Sequence, residues 1–489
     1  MSFAGKTARS AAWTYLAYTL NKSSTFITTI LLTHLILPAE YGIVAYAVTI
    51  VAFLDAVRDL GLGLALIQYP DDINDALDTA FWLNLGSNVI IWLASIALAP
   101  VAARFFNEPQ LVSILPALCF SFILNSFGSI HDALLQRQMQ FRKRLIPEVG
   151  SSLIKGILSV GLALIGYNAW ALVVGQIAGR AVYSVMIWRT NSWRPKPFFY
   201  PSIARKLLKF GYKVAIDSFL SALQANIDYL FIGRFLGETT LALYSIAYRV
   251  PELVIINFCI VIATVLFPAY AELDDDSELK QAMLGAFRYI SLITVPAGIG
   301  LALISPLFVK VFLAMEYAEA GPMMAVLSLY GMVLAVSWNI GDVYKALGRP
   351  DVLWKTALLE FAVLASVLFF AAQSSALAVA FSHLGVALSI TLVRLVIVSR
   401  LLKIHIVTML KQFVPSAGAS IIMGIAVAII LVVTTMLTPL VSLFFAMFIG
   451  AVVYALVLYW IERDLAISIL GKIEESFSIF TRRVKTSKN

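Results

Sequence analysis

Charge is what this sequence has least of. Of 489 residues only 13% are charged and 61% are hydrophobic, whereas a soluble chain carries about 25% charged residues. That shortage excludes a soluble globular class. Only two cysteines occur, Cys119 and Cys259, both inside apolar runs. They read as small buried apolar residues, and no disulfide framework is implied. The four histidines (His34, His131, His383 and His405) show no metal-ligand spacing, so no metal centre is expected. There is no Walker A loop, which excludes an ATP-driven pump; no other enzyme chemistry or cofactor motif is visible either.

What the chain has is apolar length. A helix needs roughly 20 apolar residues to cross a bilayer core. Runs of that kind fill nearly the whole sequence, joined by short connections. The expected fold is all-α and polytopic, with fourteen spans at 10–36, 41–66, 78–104, 109–134, 147–166, 168–190, 207–235, 240–270, 281–312, 321–346, 351–373, 375–402, 411–436 and 438–462. The first run is too long for a signal-peptide core and lacks a small-residue cleavage site, so it is expected to remain as a span. The net charge of +8 fits loops facing an anionic leaflet rather than nucleic acid. With the N-terminus inside, the termini and the loops following even-numbered spans hold 24 of the 36 Lys and Arg residues. The strongest clusters are Arg137/Arg142/Lys143/Arg144, Arg189 to Lys209, Arg400/Lys403/Lys411 and the tail from Arg463. By the positive-inside rule both termini are cytoplasmic. Trp13, Trp82, Trp188, Trp193, Trp354 and Trp460 fall near the same side, as an aromatic belt would.

The spans repeat. Acidic loops at 71–78 and 272–280 lie about 200 residues apart, and PAEYGIVAYAV (38–48) faces GETTLALYSIAYRV (237–250) at the same offset. Two six-span lobes of like orientation follow, a transporter architecture, with spans 13 and 14 added. The expected divisions are an N-lobe over 1–190, a linker with a basic amphipathic helix over 191–206, a C-lobe over 207–405, the added spans over 406–465 and a tail over 466–489. The linker stretch 194–213 reads either as an anchor for lipid phosphates or as a gate.

A charge inside a span costs about 2.5–3.5 kcal/mol on insertion scales and persists when paired or facing a polar cavity. The deep basic residues are Lys22, Arg58, Lys155, Arg180, Arg249 and Arg394; the available carboxylates are Asp55, Asp59, Asp217, Asp228, Glu252, Asp342 and Glu360. Asp55, Arg58 and Asp59 share one helix face. The first half has four deep cations against two acids, which points to a hydrated cavity receiving an anion rather than a balanced dry core. Lys22, Arg58, Lys155, Arg180 and Arg249 are candidates for holding that anion. Asp55, Asp59, Asp217, Asp228, Glu360 and Arg394 are candidates for gating or for proton or sodium coupling. The competing reading is that these charges only neutralise one another within the bundle.

The segments LPAEYGIVAYA (37–47), DLGLGLALIQ (59–68), ALLQRQMQFRKR (133–144), LGETTLALYSIAYRVPELV (236–254), VLFPAYAEL (265–273) and ALGRPDVL (346–353) carry a resemblance. The chain resembles the polysaccharide transporters of the MOP flippase superfamily, of the colanic-acid and O-antigen type. That resemblance implies two six-helix lobes that move an undecaprenyl-diphosphate-linked oligosaccharide across the bacterial inner membrane, near polymerase and export proteins and membrane lipids. It also implies basic residues in spans 1, 2 and 8 at the diphosphate, matched here by Lys22, Arg58 and Arg249 by span and depth. The alternatives are a cation-coupled multidrug antiporter of the same superfamily, which would favour an acidic cavity, and a membrane scaffold for polysaccharide synthesis. A ligase or polymerase is disfavoured because no large loop is present to hold two glycans.

Overall fold

The computed structural model describes residues 19–58, 60–69, 73–273 and 275–463, and every regular element among them is helical. Residues 19–33 form α1. There follow α2 (Pro38–Arg58), α3 (Leu62–Ile67), α4 (Ile73–Phe106), α5 (Leu111–Arg137), α6 (Phe141–Leu164), α7 (Asn168–Trp188) and α8 (Pro201–Pro251). A π-helical turn at Glu252–Ile256 leads into α9 (Asn257–Ala271), then α10 (Asp276–Phe312), α11 (Ala320–Ala346), α12 (Pro350–Ala371), α13 (Ala376–Leu402), α14 (Ile406–Lys411), α15 (Val414–Val433) and α16 (Pro439–Ile461). The first part of the expected first span, Trp13, Asp59, loop residues 70–72, Asp274 and the tail from 464 lie outside the described residues.

Among the described residues eleven helices are long and apolar enough to cross a membrane, so this is a multi-pass membrane protein. One of the eleven, Pro201–Cys259, contains parts of two expected spans. Between them stands Gly237, at φ 87 and ψ 177, a conformation open to a residue without Cβ. The expected turn there is a one-residue kink. α6 starts at Phe141, six residues before the expected span, and so takes Arg142, Lys143 and Arg144 into a helix.

The chain packs as two compact units. Unit 1 holds the chain up to Ser245 together with Leu313–Tyr317 and Leu368–Val379. Its centre is α5, buried over most of its length and packed against α2, α3, α4 and α7. Apolar clusters fill the spaces between these helices, one around Leu62, Leu77, Phe81 and Leu134 and another around Ala99, Leu115 and Phe122. Leu60 (φ 47) and Gly61 (φ 64) end α2 in left-handed geometry. Arg137 Nη1 then donates to the carbonyls of Leu66 (2.7 Å) and Tyr69 (2.8 Å), a cation closing the C-terminal end of α3. Residues 191–200 are non-helical and fastened to unit 1. Trp82 Nε1 donates to Lys196 O (2.7 Å), Lys196 N–H to Asp78 Oδ1 (3.1 Å) and Tyr200 N–H to Thr79 Oγ1 (3.2 Å). Some of the expected belt tryptophans thus tie backbone together.

Unit 2 holds Ile246–Phe312, Ala318–Val367 and the chain from Ala380. α10 and α11 pack along each other, with α9 on α11 and α15 and α16 on α10. Tyr270, Phe287, Tyr344 and Leu395 anchor its largest apolar cluster.

Candidate polar cavity and its charged walls

Unit 1 encloses a polar cavity of about 520 Å³ that joins a smaller one of about 180 Å³ through shared walls at Asn21, Ser151 and Arg180. Six helices line it, α3 through Gly63 alone, and periodicity explains the three longest walls. On α5 the polar residues Asn125, Ser129, Asp132 and Gln136 recur at the three- and four-residue spacing of one helix face, as do Arg144, Glu148, Ser151 and Lys155 on α6 and Gln176, Arg180 and Tyr183 on α7. α1 adds Asn21, Lys22 and Thr25, and α2 adds Arg58.

Small residues hold two of these walls close. A Cβ at Gly179 would lie 3.0 Å from the Lys155 Cβ and 3.1 Å from the Ser151 carbonyl oxygen. α7 therefore lies against α6 at that level, in the small-residue packing common between membrane helices. This approach sets Lys155 and Arg180 side by side.

Four of the five expected anion ligands, Lys22, Arg58, Lys155 and Arg180, meet in this cavity. Arg58 is half-buried. Its Nε donates to Asp55, its guanidinium stands 5.3 Å over the Phe122 ring, and it faces the Asn125 amide. With the Asn125 oxygen turned toward it, the Arg58 Nη1 donates at 2.8 Å. Arg180 is set deep among protein atoms yet stays accessible, because it borders both chambers. Among the described residues it has no ion-pair partner. The fifth, Arg249, belongs to unit 2, where its Nη1 lies 4.0 Å from Glu252 Oε2.

The coupling candidates do not form one group. Asp55 is bound to Arg58, and Asp59 lies outside the described residues. Asp217 is exposed on α8. Asp228 is buried and accepts from the Tyr244 hydroxyl (3.0 Å) and the Tyr229 N–H (2.9 Å). In unit 2, Glu360 accepts from Arg394 Nη2 at 2.8 Å, and Arg394 Nη1 donates to Ser337 Oγ at 2.5 Å.

The sequence reading missed one group. Arg144 Nε donates to Asp132 Oδ1 (2.5 Å) and its Nη2 lies 3.2 Å from Glu148 Oε1; Gln136 Nε2 also donates to Asp132 (2.9 Å). In sequence Arg144 belongs to the basic cluster after the fourth expected span. The usable signal was Glu148 four residues on, in position to pair along a helix. Basic side chains on the walls (Lys22, Arg58, Arg144, Lys155, Arg180) still outnumber the acids Asp132 and Glu148. The cavity therefore favours an anion.

Residues 31–322 match the model of a family described as Polysaccharide biosynthesis protein. Among curated relatives, the teichuronic acid biosynthesis protein TuaB of Bacillus subtilis is 27% identical, over 66% of this chain and 68% of its own length. The lipopolysaccharide biosynthesis protein WzxC of Escherichia coli is 25% identical over 73% of each chain. The succinoglycan biosynthesis transport protein ExoT of Rhizobium meliloti is 25% identical over 79% of this chain and 78% of its own. Among solved structures, the lipid II flippase MurJ in an inward closed conformation superposes with TM-score 0.73 over 92% of this chain and 99% of its own, at 14% identity. An inward-facing MATE multidrug transporter of the MOP superfamily reaches 0.60 over 79% of this chain and 95% of its own, at 13% identity.

Proposed function

Since the chain belongs to the polysaccharide biosynthesis protein family, we propose that it is a flippase for undecaprenyl-diphosphate-linked oligosaccharides of the exopolysaccharide or O-antigen type. Among its relatives ExoT is named a transport protein, and the structural neighbour MurJ a lipid II flippase, neither a catalyst. In this reading it crosses the bacterial inner membrane fourteen times as two six-helix lobes plus two helices, with both termini cytoplasmic. It carries the glycan head from the inner to the outer leaflet while the polyprenyl tail stays in lipid.

The observation that carries the proposal is the cation-rich cavity with Arg180 in its wall. A lipid diphosphate brings about two negative charges, and moving both outward through an inside-negative membrane gains about 4–5 kcal/mol per 100 mV. That term allows transport with no coupling ion, beside a cycle coupled to protons or sodium. The same cavity argues against a multidrug antiporter, because cationic drugs would meet excess positive charge.

Reconstitution tests the reading. Proteoliposomes carrying a fluorescent undecaprenyl-diphosphate oligosaccharide should move it under voltage alone, and Arg180→Ala should slow that movement. No movement by folded wild-type protein, or full movement by the variant, removes the proposal. Orientation is tested separately: a single cysteine at position 142 should resist an impermeant thiol reagent added to intact cells.

A further inference from the structure

We propose, resting on the diphosphate reading above, that the cavity holds a second subsite formed by Glu148 and Gln136 with Asp132 behind them, and that it takes an uncharged sugar ring next to the diphosphate.

Charge is sorted along the cavity. Arg144, Glu148, Ser151 and Lys155 occupy one face of α6, and eleven residues of helix span about 16 Å. At the Lys155 end the described residues lining the smaller chamber are Lys155, Arg180, Gly179 and uncharged polar groups, with no acid among them. At the Arg144 end two carboxylates share one guanidinium. Arg144 is spent there, so the Asp132–Arg144–Glu148 cluster by itself carries one more negative charge than positive. Neutralising Arg144 would need a single carboxylate. The second leaves an excess that is costly in a partly enclosed place unless water or a ligand uses it.

A sugar ring is suited to use it. Sugar hydroxyls donate to carboxylates and accept from amides, and Glu148, Gln136, Ser129 and Ser151 offer both kinds of partner. Glu148 stands seven residues from Lys155, about 10 Å along the helix, the spacing expected between a diphosphate and the ring attached to it. The larger chamber, about 520 Å³, falls within the usual range for small-ligand sites, about 300–1,000 Å³. A uronic acid in that position would set a carboxylate against Glu148, a repulsive element that rejects the wrong ligand.

Three synthetic probes on the same short isoprenyl diphosphate test this: one without sugar, one bearing N-acetylglucosamine and one bearing glucuronic acid. Titrated against the full-length protein in nanodiscs, the neutral-sugar probe should bind about fivefold tighter than the bare diphosphate, the scale of one or two net hydrogen bonds. The glucuronyl probe should bind at least about fivefold weaker than the neutral one, a like-charge penalty of that order. Glu148→Gln should shrink the neutral-to-acidic ratio below twofold, whatever it does to all three probes together. Gln136→Leu, which leaves both carboxylates on Arg144, should lower only the advantage of the neutral sugar over the bare diphosphate. Equal binding of the two sugar probes to the wild type overturns the inference, as does a ratio that survives Glu148→Gln. If no probe binds folded protein, or Arg180→Ala leaves all three affinities unchanged, the diphosphate reading itself is at fault and the subsite falls with it.

Discussion

Arg180 in unit 1 and Arg394 in unit 2 stand in apolar helices, and their surroundings differ completely. Arg180 borders two polar chambers, is accessible, and has no ion-pair partner among the described residues. Arg394 is 5% accessible; its guanidinium binds Glu360 and Ser337, and its carbonyl accepts from the buried Tyr344 hydroxyl at 2.7 Å. The first is a charge kept in a hydrated place where it can meet something else. The second is a charge used up in holding α11, α12 and α13 together. A basic residue inside an apolar run is thus ambiguous until its partners are known, because pairing and hydration decide its role.

The largest expected effect breaks the dry side of this comparison. Glu360→Ala would strand Arg394 inside unit 2, and removing one partner of a buried pair costs about 3–5 kcal/mol. The purified variant should melt well below wild type or fail to accumulate. Replacing both partners, as Glu360→Leu with Arg394→Met, should recover most of the loss, since an apolar pair of like volume is often neutral. A Glu360→Ala protein that melts like wild type would show that the pair is not structural.

Arg180→Ala should do the reverse. It removes no partnered charge, so the melting midpoint should stay level or rise. Transport in proteoliposomes should fall about 10- to 100-fold, the worth of one charge-assisted hydrogen bond of about 1.5–3 kcal/mol. Arg58 lies between the two cases, being tied to Asp55 yet open to the cavity. Arg58→Lys keeps the charge and loses the planar fork, so transport should be reduced several-fold but not abolished. A fully active Arg58→Lys would mean that charge alone matters there.

The cationic excess of the first half was legible because Lys22, Arg58, Lys155 and Arg180 stand in runs that must be helical spans, and α6 and α7 place the last two as neighbours. What was not legible came from helix ends and from sequence distance. Arg144 reads as loop charge in sequence, whereas α6 begins at Phe141, and Asp132 meets it because the short turn at 138–140 folds the start of α6 back onto the end of α5. Asp217 and Asp228, eleven residues apart on α8, looked equivalent in sequence. One is exposed and the other is buried under Tyr244, a difference set by what packs on each face. Several helix ends close in one way, among them α4, where Glu108 N–H donates to Ala103 O after a left-handed Asn107. The α5 end closes with Gln140 N–H on Leu135 O and Met139 left-handed, and the α11 end closes alike with Arg349 N–H on Tyr344 O and Gly348 left-handed.

The smallest effect lies outside both charged regions and calibrates them. Asp275 precedes α10 and is fully exposed; its carboxylate accepts from the Ser277 hydroxyl (2.5 Å) and the Ser277 N–H (3.0 Å). Those two bonds, the hydroxyl's first, hold its pKa below the ordinary carboxylate value. A depressed folded-state pKa means that the capping contribution is fully present above the unfolded value, about 3.9, and is lost as pH falls through the lower folded value. Asp275→Asn keeps a side-chain cap, so its melting midpoint at pH 7 should match wild type within about 2 °C, and the difference between the two should shift in the variant's favour between about pH 5 and pH 3. Transport should be unaffected at pH 7. A larger melting change at neutral pH would mean that Asp275 has a partner beyond Ser277, and that exposed charge at the helix ends weighs as much in this protein as charge inside the spans.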